Sequence, residues 1–83
     1  MIEITNAQGS IITFDGRVIE VFQGRESQRF HGTQIKKIEM IERKNGIEIS
    51  GRTANTPFIF MSIDPGQKAV VDEFIAQVRT LMS

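Results

Sequence analysis

Length, composition and charge limit what this chain can be. Its 83 residues allow one domain with a small core, and ten basic against ten acidic residues leave no net charge, which argues against a general nucleic-acid binder. The absence of cysteine excludes a disulfide framework and a thiolate zinc site. No apolar run approaches the ~20 residues of a membrane span and no targeting segment is evident, so we expect a cytoplasmic protein.

The chain begins with a predicted meander of short β-strands. Residues 2–5, IEIT, alternate apolar and polar side chains, which is the period of a strand with one buried face. Residues 10–14 are rich in β-branched side chains, and residues 17–23 read as the returning strand. Between them, Asp15-Gly16 is a pair suited to the two positive-φ positions of a type I′ turn. The segment therefore predicts antiparallel pairing.

A more polar strand follows at residues 27–31, SQRFH. Polar and charged residues alternate there with Phe30, as expected for a strand at the edge of a sheet. An edge strand leaves backbone donors and acceptors unpaired, so it either needs protection or can accept an added strand. Arg29 would serve as protection, and Phe30 could make a self-complementary contact.

The segment of residues 34–43 can be read in two ways. Its isoleucines recur every three residues, which also suits a helix ending at a glycine cap. The Asn45-Gly46 pair, however, is a hairpin signal that needs a strand on its N-terminal side. We therefore predict a strand with a bulge near Lys36-Lys37, and the helix remains the alternative.

A C-terminal amphipathic helix is predicted over residues 65–82. Asp64 can cap it, and Pro65 suits the first helical position. Apolar residues, including Phe74 and Val78, recur at three- and four-residue spacing, so one stripe is expected to cover the sheet. The seven strands predicted before it cover residues 2–5, 10–14, 17–23, 27–31, 34–43, 46–51 and 57–63.

This order of elements resembles the pleckstrin-homology-like barrel superfamily, and in particular its small bacterial domains. The segments that carry the resemblance are residues 12–22, residues 28–50 and the phenylalanine-rich FIFMSI before the helix. The resemblance implies an α+β, mostly β fold: about seven antiparallel strands as a bent sheet or barrel, capped by the helix. Lipid-binding members use basic residues around their first strand–strand loop. That motif does not transfer to this chain.

Catalytic chemistry has little support in the sequence. Nucleophilic catalysis needs a base oriented beside a hydroxyl or thiol, and His31 is the only histidine of the chain. Glu26 is the carboxylate nearest to it in sequence, so no set of three or four metal ligands is evident. We therefore expect no enzyme, no metal and no cofactor, with His31 as an exposed or half-buried strand residue.

Binding is the stronger class of function. Between residues 17 and 44 there are seven Lys or Arg against four Glu, so this half of the chain is locally basic. We expect a module that self-associates, as a homo-oligomer, or recruits a protein partner. A weak adaptor for anionic membranes is the alternative, and the arginines can also be plain solvent-facing residues. The candidate contacts are Arg25, Arg29, His31, Lys36 and Lys37.

Overall fold

Seven strands form two antiparallel sheets in the computed structural model, which describes residues 1–52 and 58–82. In the first sheet, strands that are consecutive in sequence are also neighbours, in the order β1 (Ile2–Thr5), β2 (Ile11–Phe14), β3 (Val18–Gln23) and β4 (Glu26–His31). The second contains β5 (Ile35–Ile41), β6 (Gly46–Gly51) and β7 (Ile59–Ser62). The helix α1 spans Lys68–Met82. The predicted class, α+β and mostly β, is confirmed, and no strand pairing closes a barrel within these residues.

The predicted strands are all present, and their observed ends lie within two residues of the expected ones. Position 57 of the last predicted strand lies outside the described residues. The ambiguous segment is the strand β5, so the helix alternative is wrong. Its pairing with β6 shifts register between Ile35 and Lys37, which is the expected bulge. That extra residue accounts for the three-residue spacing from Ile35 to Ile38, whereas the pairing from Ile38 to Ile41 is regular.

The first predicted turn differs from the expected geometry. Gly16 has a positive φ of 103°, but Asp15 does not have a positive φ, so the type I′ assignment is wrong. Instead, the Asp15 carboxylate accepts hydrogen bonds from the backbone N–H groups of Arg17 (2.9 Å) and Val18 (2.8 Å). An aspartate that bonds to the backbone two and three residues ahead closes the loop locally.

The second hairpin also uses a different turn. A 3-10 turn over Glu42–Lys44 ends at Asn45, whose left-handed backbone has φ 50° and ψ 50°. Gly46 is the first residue of β6 and has no positive φ, so the two-residue turn predicted at Asn45-Gly46 is wrong. A Cβ at Gly46 would lie 2.4 Å from the Phe60 ring and 2.8 Å from the Met61 carbonyl oxygen. The glycine is therefore required by close packing of β7.

The core lies between the two sheets and under α1. Phe74 and Val78 of the helix are fully buried, as expected for an inward-facing stripe. The Phe74 ring meets Phe14 edge to face, with ring centroids 5.6 Å apart and planes at 72°. This aromatic pair links the helix to the first sheet.

The helix begins differently from its prediction. Asp64 occupies the residue before a 3-10 turn over Pro65–Gln67, but its side chain makes no capping hydrogen bond, so the expected side-chain cap is wrong. The Asp64 carbonyl oxygen accepts from the Gln67 N–H at 2.9 Å. Pro65 does occupy the first position of that turn, and the α-helix starts at Lys68. The tight turn satisfies the backbone without the carboxylate.

Candidate interaction site

The four basic candidate residues are exposed and divided between the two sheets. Arg25 lies in the turn between β3 and β4, and Arg29 lies in β4, whereas Lys36 and Lys37 lie at the bulge of β5. The Lys37 Nζ is 3.1 Å from the carboxylate of Glu39, whose hydrogen bond and charge raise the pKa of Lys37. Lys37 is thus already paired with a carboxylate, and the two lysines lie on a different sheet from Arg29.

His31 has a structural role at the end of β4. It is half-buried, as expected, and its Nδ1 accepts a hydrogen bond from the Thr33 N–H at 3.2 Å. The backbone N–H of His31 donates to the Gln34 Oε1 at 2.8 Å, so His31 and Gln34 form a reciprocal cap on the 3-10 turn Gly32–Gln34. The H-x-x-Q spacing was a signal for this cap that the sequence reasoning missed. Across residues 1–52 and 58–82, no three His, Cys, Asp or Glu side chains cluster as metal ligands.

Two surface grooves are among the concave features of the described chain. One, of about 480 Å³, lies between β1, the β2–β3 turn and α1, and its lining residues include Glu3, Asp15 and Glu73. The two backbone hydrogen bonds to Asp15 hold its pKa below the usual range. The other, of about 390 Å³, lies between the β5–β6 turn and the start of α1. Neither groove contains a histidine or a hydroxyl side chain among its lining residues, so neither presents a hydroxyl nucleophile beside a histidine base.

The sheet edges are more informative, and β7 illustrates how an edge is protected. The side-chain amide of Gln23 donates to the Phe60 carbonyl oxygen at 2.9 Å. The amide of Asn6 donates to the Ser62 carbonyl oxygen at 3.0 Å. Both acceptors lie on the side of β7 away from β6, because the Ile63 N–H donates to the Asn45 carbonyl oxygen and this phase makes Ile59 and Met61 the residues bonded to β6. One side chain from the turn after β1 and one from β3 thus cover two carbonyl groups of this edge.

The helix covers two further edges. It packs beside β1 and beside β5. The Arg79 guanidinium donates to the Ile38 carbonyl oxygen of β5 at 3.0 Å. Arg52 bonds both to the Ile35 carbonyl oxygen (3.2 Å) and to the Met82 carbonyl oxygen at the end of the helix (3.0 Å). The helix is therefore held along the β5 edge by two arginines.

The edge of β4 has no such cover. Beyond its partner β3, no described element packs extensively against it. The Gly32 N–H donates to the Arg17 carbonyl oxygen at 2.7 Å, which fixes the phase of the β3–β4 ladder. In that phase the backbone N–H and C=O groups of Gln28 and Phe30 bond to β3. The N–H and C=O groups of Ser27 and of Arg29 point outward, away from β3. Within the described part of the chain, no hydrogen bond to these four outward groups is formed.

Two side-chain features lie next to this open edge. Gln28 faces the interior opposite Val21, and its Oε1 is buried without a hydrogen-bond partner. Phe22 stands opposite Ser27 on the outer face of the sheet and is 38% exposed. A buried acceptor without a donor costs free energy, and an exposed aromatic ring is a typical contact residue. Both features favour β4 as the interaction site.

Another aromatic side chain is exposed on the second sheet. Phe58, just before β7, is 65% exposed, whereas Ile59 and Met61 are buried. The apolar residues on the outer faces of β3 and β7 are therefore only partly covered by the domain itself.

Comparison of the chain with protein-family models, curated proteins and solved structures finds no match. The resemblance to pleckstrin-homology-like domains stays a prediction. Among the described residues, no helix has the length and apolar character needed to cross a membrane.

Proposed function

We propose that this domain is a non-enzymatic protein-interaction module, acting by self-association or by recruiting a protein partner, and that the edge of β4 is its binding edge. The observation that carries this proposal is the outward row of unbonded backbone groups at Ser27 and Arg29. An added strand binds such an edge through main-chain hydrogen bonds, and side-chain contacts provide the specificity. The contrast with β7, whose outward carbonyl groups accept side-chain amides, supports β4 as the edge left for a partner.

Side-chain chemistry beside the edge supports the same proposal. Ser27 is small, so a long side chain on an added strand could lie over it and reach the exposed Phe22 ring on the next strand. Aromatic residues at the centre of an interface contribute strongly to binding. Specificity would then depend on what the added strand presents at this position.

An adaptor for anionic membranes is less well supported. Its candidate cations lie on two sheets, and one of them is paired with Glu39. Co-sedimentation with phosphatidylcholine vesicles, with and without phosphatidylserine, at low and high salt separates the two functions. Binding that needs phosphatidylserine and weakens in salt would support the membrane adaptor.

A peptide-display library tests the proposed edge directly. The immobilised domain, kept dilute, is panned in its wild-type form and as Ser27→Pro, which removes an outward N–H without breaking a bond to β3. Thr5→Pro is the matched control, because its N–H points outward from the helix-flanked edge of β1. We expect peptides that bind wild type and Thr5→Pro but not Ser27→Pro. Peptides that bind Ser27→Pro as well as wild type would contradict β4 as the binding edge, and a library without enrichment would contradict the recruitment of a partner strand.

A further inference from the structure

We infer that the β4 edge pairs with the β4 edge of a second copy of this chain, antiparallel and about a twofold axis at Gln28. This inference rests on the proposed function and names the partner. A twofold axis makes the contact self-complementary: if one residue of the first copy contacts a given residue of the second, the same two residues also contact each other with the copies exchanged. The argument for a second copy comes from the register that the edge allows.

The outward backbone groups and the charges select one register. Pairing Ser27 with Arg29 of the second copy, and Arg29 with its Ser27, bonds every outward group of these two residues. Pairing Ser27 with itself would place Arg25 directly opposite Arg29 of the other copy. Pairing Arg29 with itself would oppose the two arginines. Like charges directly opposite are destabilising in a sheet, so both alternatives are disfavoured.

The selected register brings the two Gln28 side chains together. Gln28 lies between the bonded positions, so it directly opposes the Gln28 of the second copy on the inner face. Its Oε1 is buried without a donor in the single chain. The neighbouring carboxamide supplies N–H groups that can donate to it, and the symmetry makes this exchange reciprocal. Dimer formation would then satisfy a polar atom that the monomer leaves unpaired.

The same register gives Arg29 a partner on the outer face. Across the joined strands, Arg29 of one copy lies beside Ser27 of the other, and Phe22 stands on the strand behind that serine. A guanidinium can reach over the small serine and stack on the exposed ring. Each dimer contains this contact twice. Arg29 would therefore be a contact residue, through a ring and not through an anion.

Cysteine scanning tests the register, because the chain contains no cysteine of its own. In a non-bonded antiparallel pair the Cα atoms are about 4.5 Å apart, which is within the range for a disulfide. Gln28→Cys should therefore cross-link two copies under mild oxidation. In the same register the two Ser27 residues of the dimer are offset from each other by two positions along the strands, and so are the two Arg29 residues. Their Cα atoms are then about 8.5 Å apart, which is beyond that range. Ser27→Cys and Arg29→Cys are thus matched controls.

Sedimentation of the wild type and of Ser27→Pro accompanies the cross-linking. We expect a wild-type dimer, a Gln28→Cys cross-link several-fold more abundant than the controls, and a dimer Kd raised at least about tenfold by Ser27→Pro. A preferential cross-link at position 27 or 29 would overturn the register. A wild type that stays monomeric at high concentration would overturn the second copy as partner. In that case, library peptides that depend on Ser27 would leave the proposed function standing, and their absence would remove both.

Discussion

Replacement of Phe74 by alanine should remove a large part of the stability of this domain. The ring is fully buried and meets Phe14 edge to face at 5.6 Å. Truncating a buried phenylalanine costs about 3–5 kcal/mol, through lost burial and the cavity left behind. A domain of this size has a free energy of unfolding on the order of 4–12 kcal/mol. The substitution therefore brings the protein close to unfolding at 25 °C.

Thermal unfolding followed by far-UV circular dichroism measures this effect, because the chain has neither tryptophan nor tyrosine for fluorescence. For a domain of this length, each kcal/mol lowers Tm by roughly 4–8 °C, so we expect a fall of more than about 12 °C. Asp72→Ala, on the exposed face of the same helix, is the control and should stay within about 0.5 kcal/mol of wild type. An unchanged Tm for Phe74→Ala would refute the packing of this helix on its own sheets.

Three further predictions follow from single contacts. Gly46→Ala should lower the free energy of unfolding, measured in urea, by about 1–3 kcal/mol, because a Cβ there overlaps a ring and a carbonyl group of β7. Gly66→Ala has open space around its Cβ position and should be neutral, so equal effects of the two substitutions would contradict this reasoning. Because the pKa of Asp15 is lowered in the folded state, its charged form stabilises the fold above about pH 4, and this contribution disappears as pH falls through the folded-state pKa. The loss of stability in acid should therefore be smaller in Asp15→Asn than in wild type, and identical pH profiles of stability would contradict this prediction. Reversing Arg25 and Arg29 to Glu together should change the free energy of unfolding by no more than about 1 kcal/mol, because both are exposed. The dimer should bind more weakly, because the two Arg29–Phe22 contacts are lost, but it should survive at two salt levels through its main-chain hydrogen bonds; complete dissociation would mean that the arginine contacts, and not the strand pairing, hold the two copies together.

The periodicity of the apolar residues was sufficient to predict the strands, the helix and their order along the chain. Ile38 and Met40 alternate in β5 even though a bulge interrupts the period, and Phe74 and Val78 mark the inward stripe of α1. Such periodicity depends only on which face is buried, and that information is local. For the same reason the edge position of residues 27–31 could be predicted from their polarity.

Turn and cap geometry could not be predicted to the same extent. Gly46 looked like a turn residue, but the ring of Phe60, fourteen positions away, is what excludes a side chain there. Asp64 looked like a cap, but a tight turn satisfies the backbone without its carboxylate. Sequence could not show which edges are covered either, because Asn6 and Gln23 reach β7 from the β1–β2 turn and from β3. These features depend on tertiary contacts.

Amide hydrogen exchange, read residue by residue by NMR, tests the central claim that the β4 edge is open and used. The N–H groups of Gln28 and Phe30 bond to β3, whereas those of Ser27 and Arg29 point away from it. We predict slow exchange at Gln28 and Phe30 at every protein concentration. Ser27 and Arg29 should exchange fast in dilute protein and become protected as concentration rises, because the added strand then bonds their N–H groups. Slow exchange at Ser27 and Arg29 in dilute protein would mean that the chain covers this edge itself, and fast exchange at every concentration would mean that no second copy binds there.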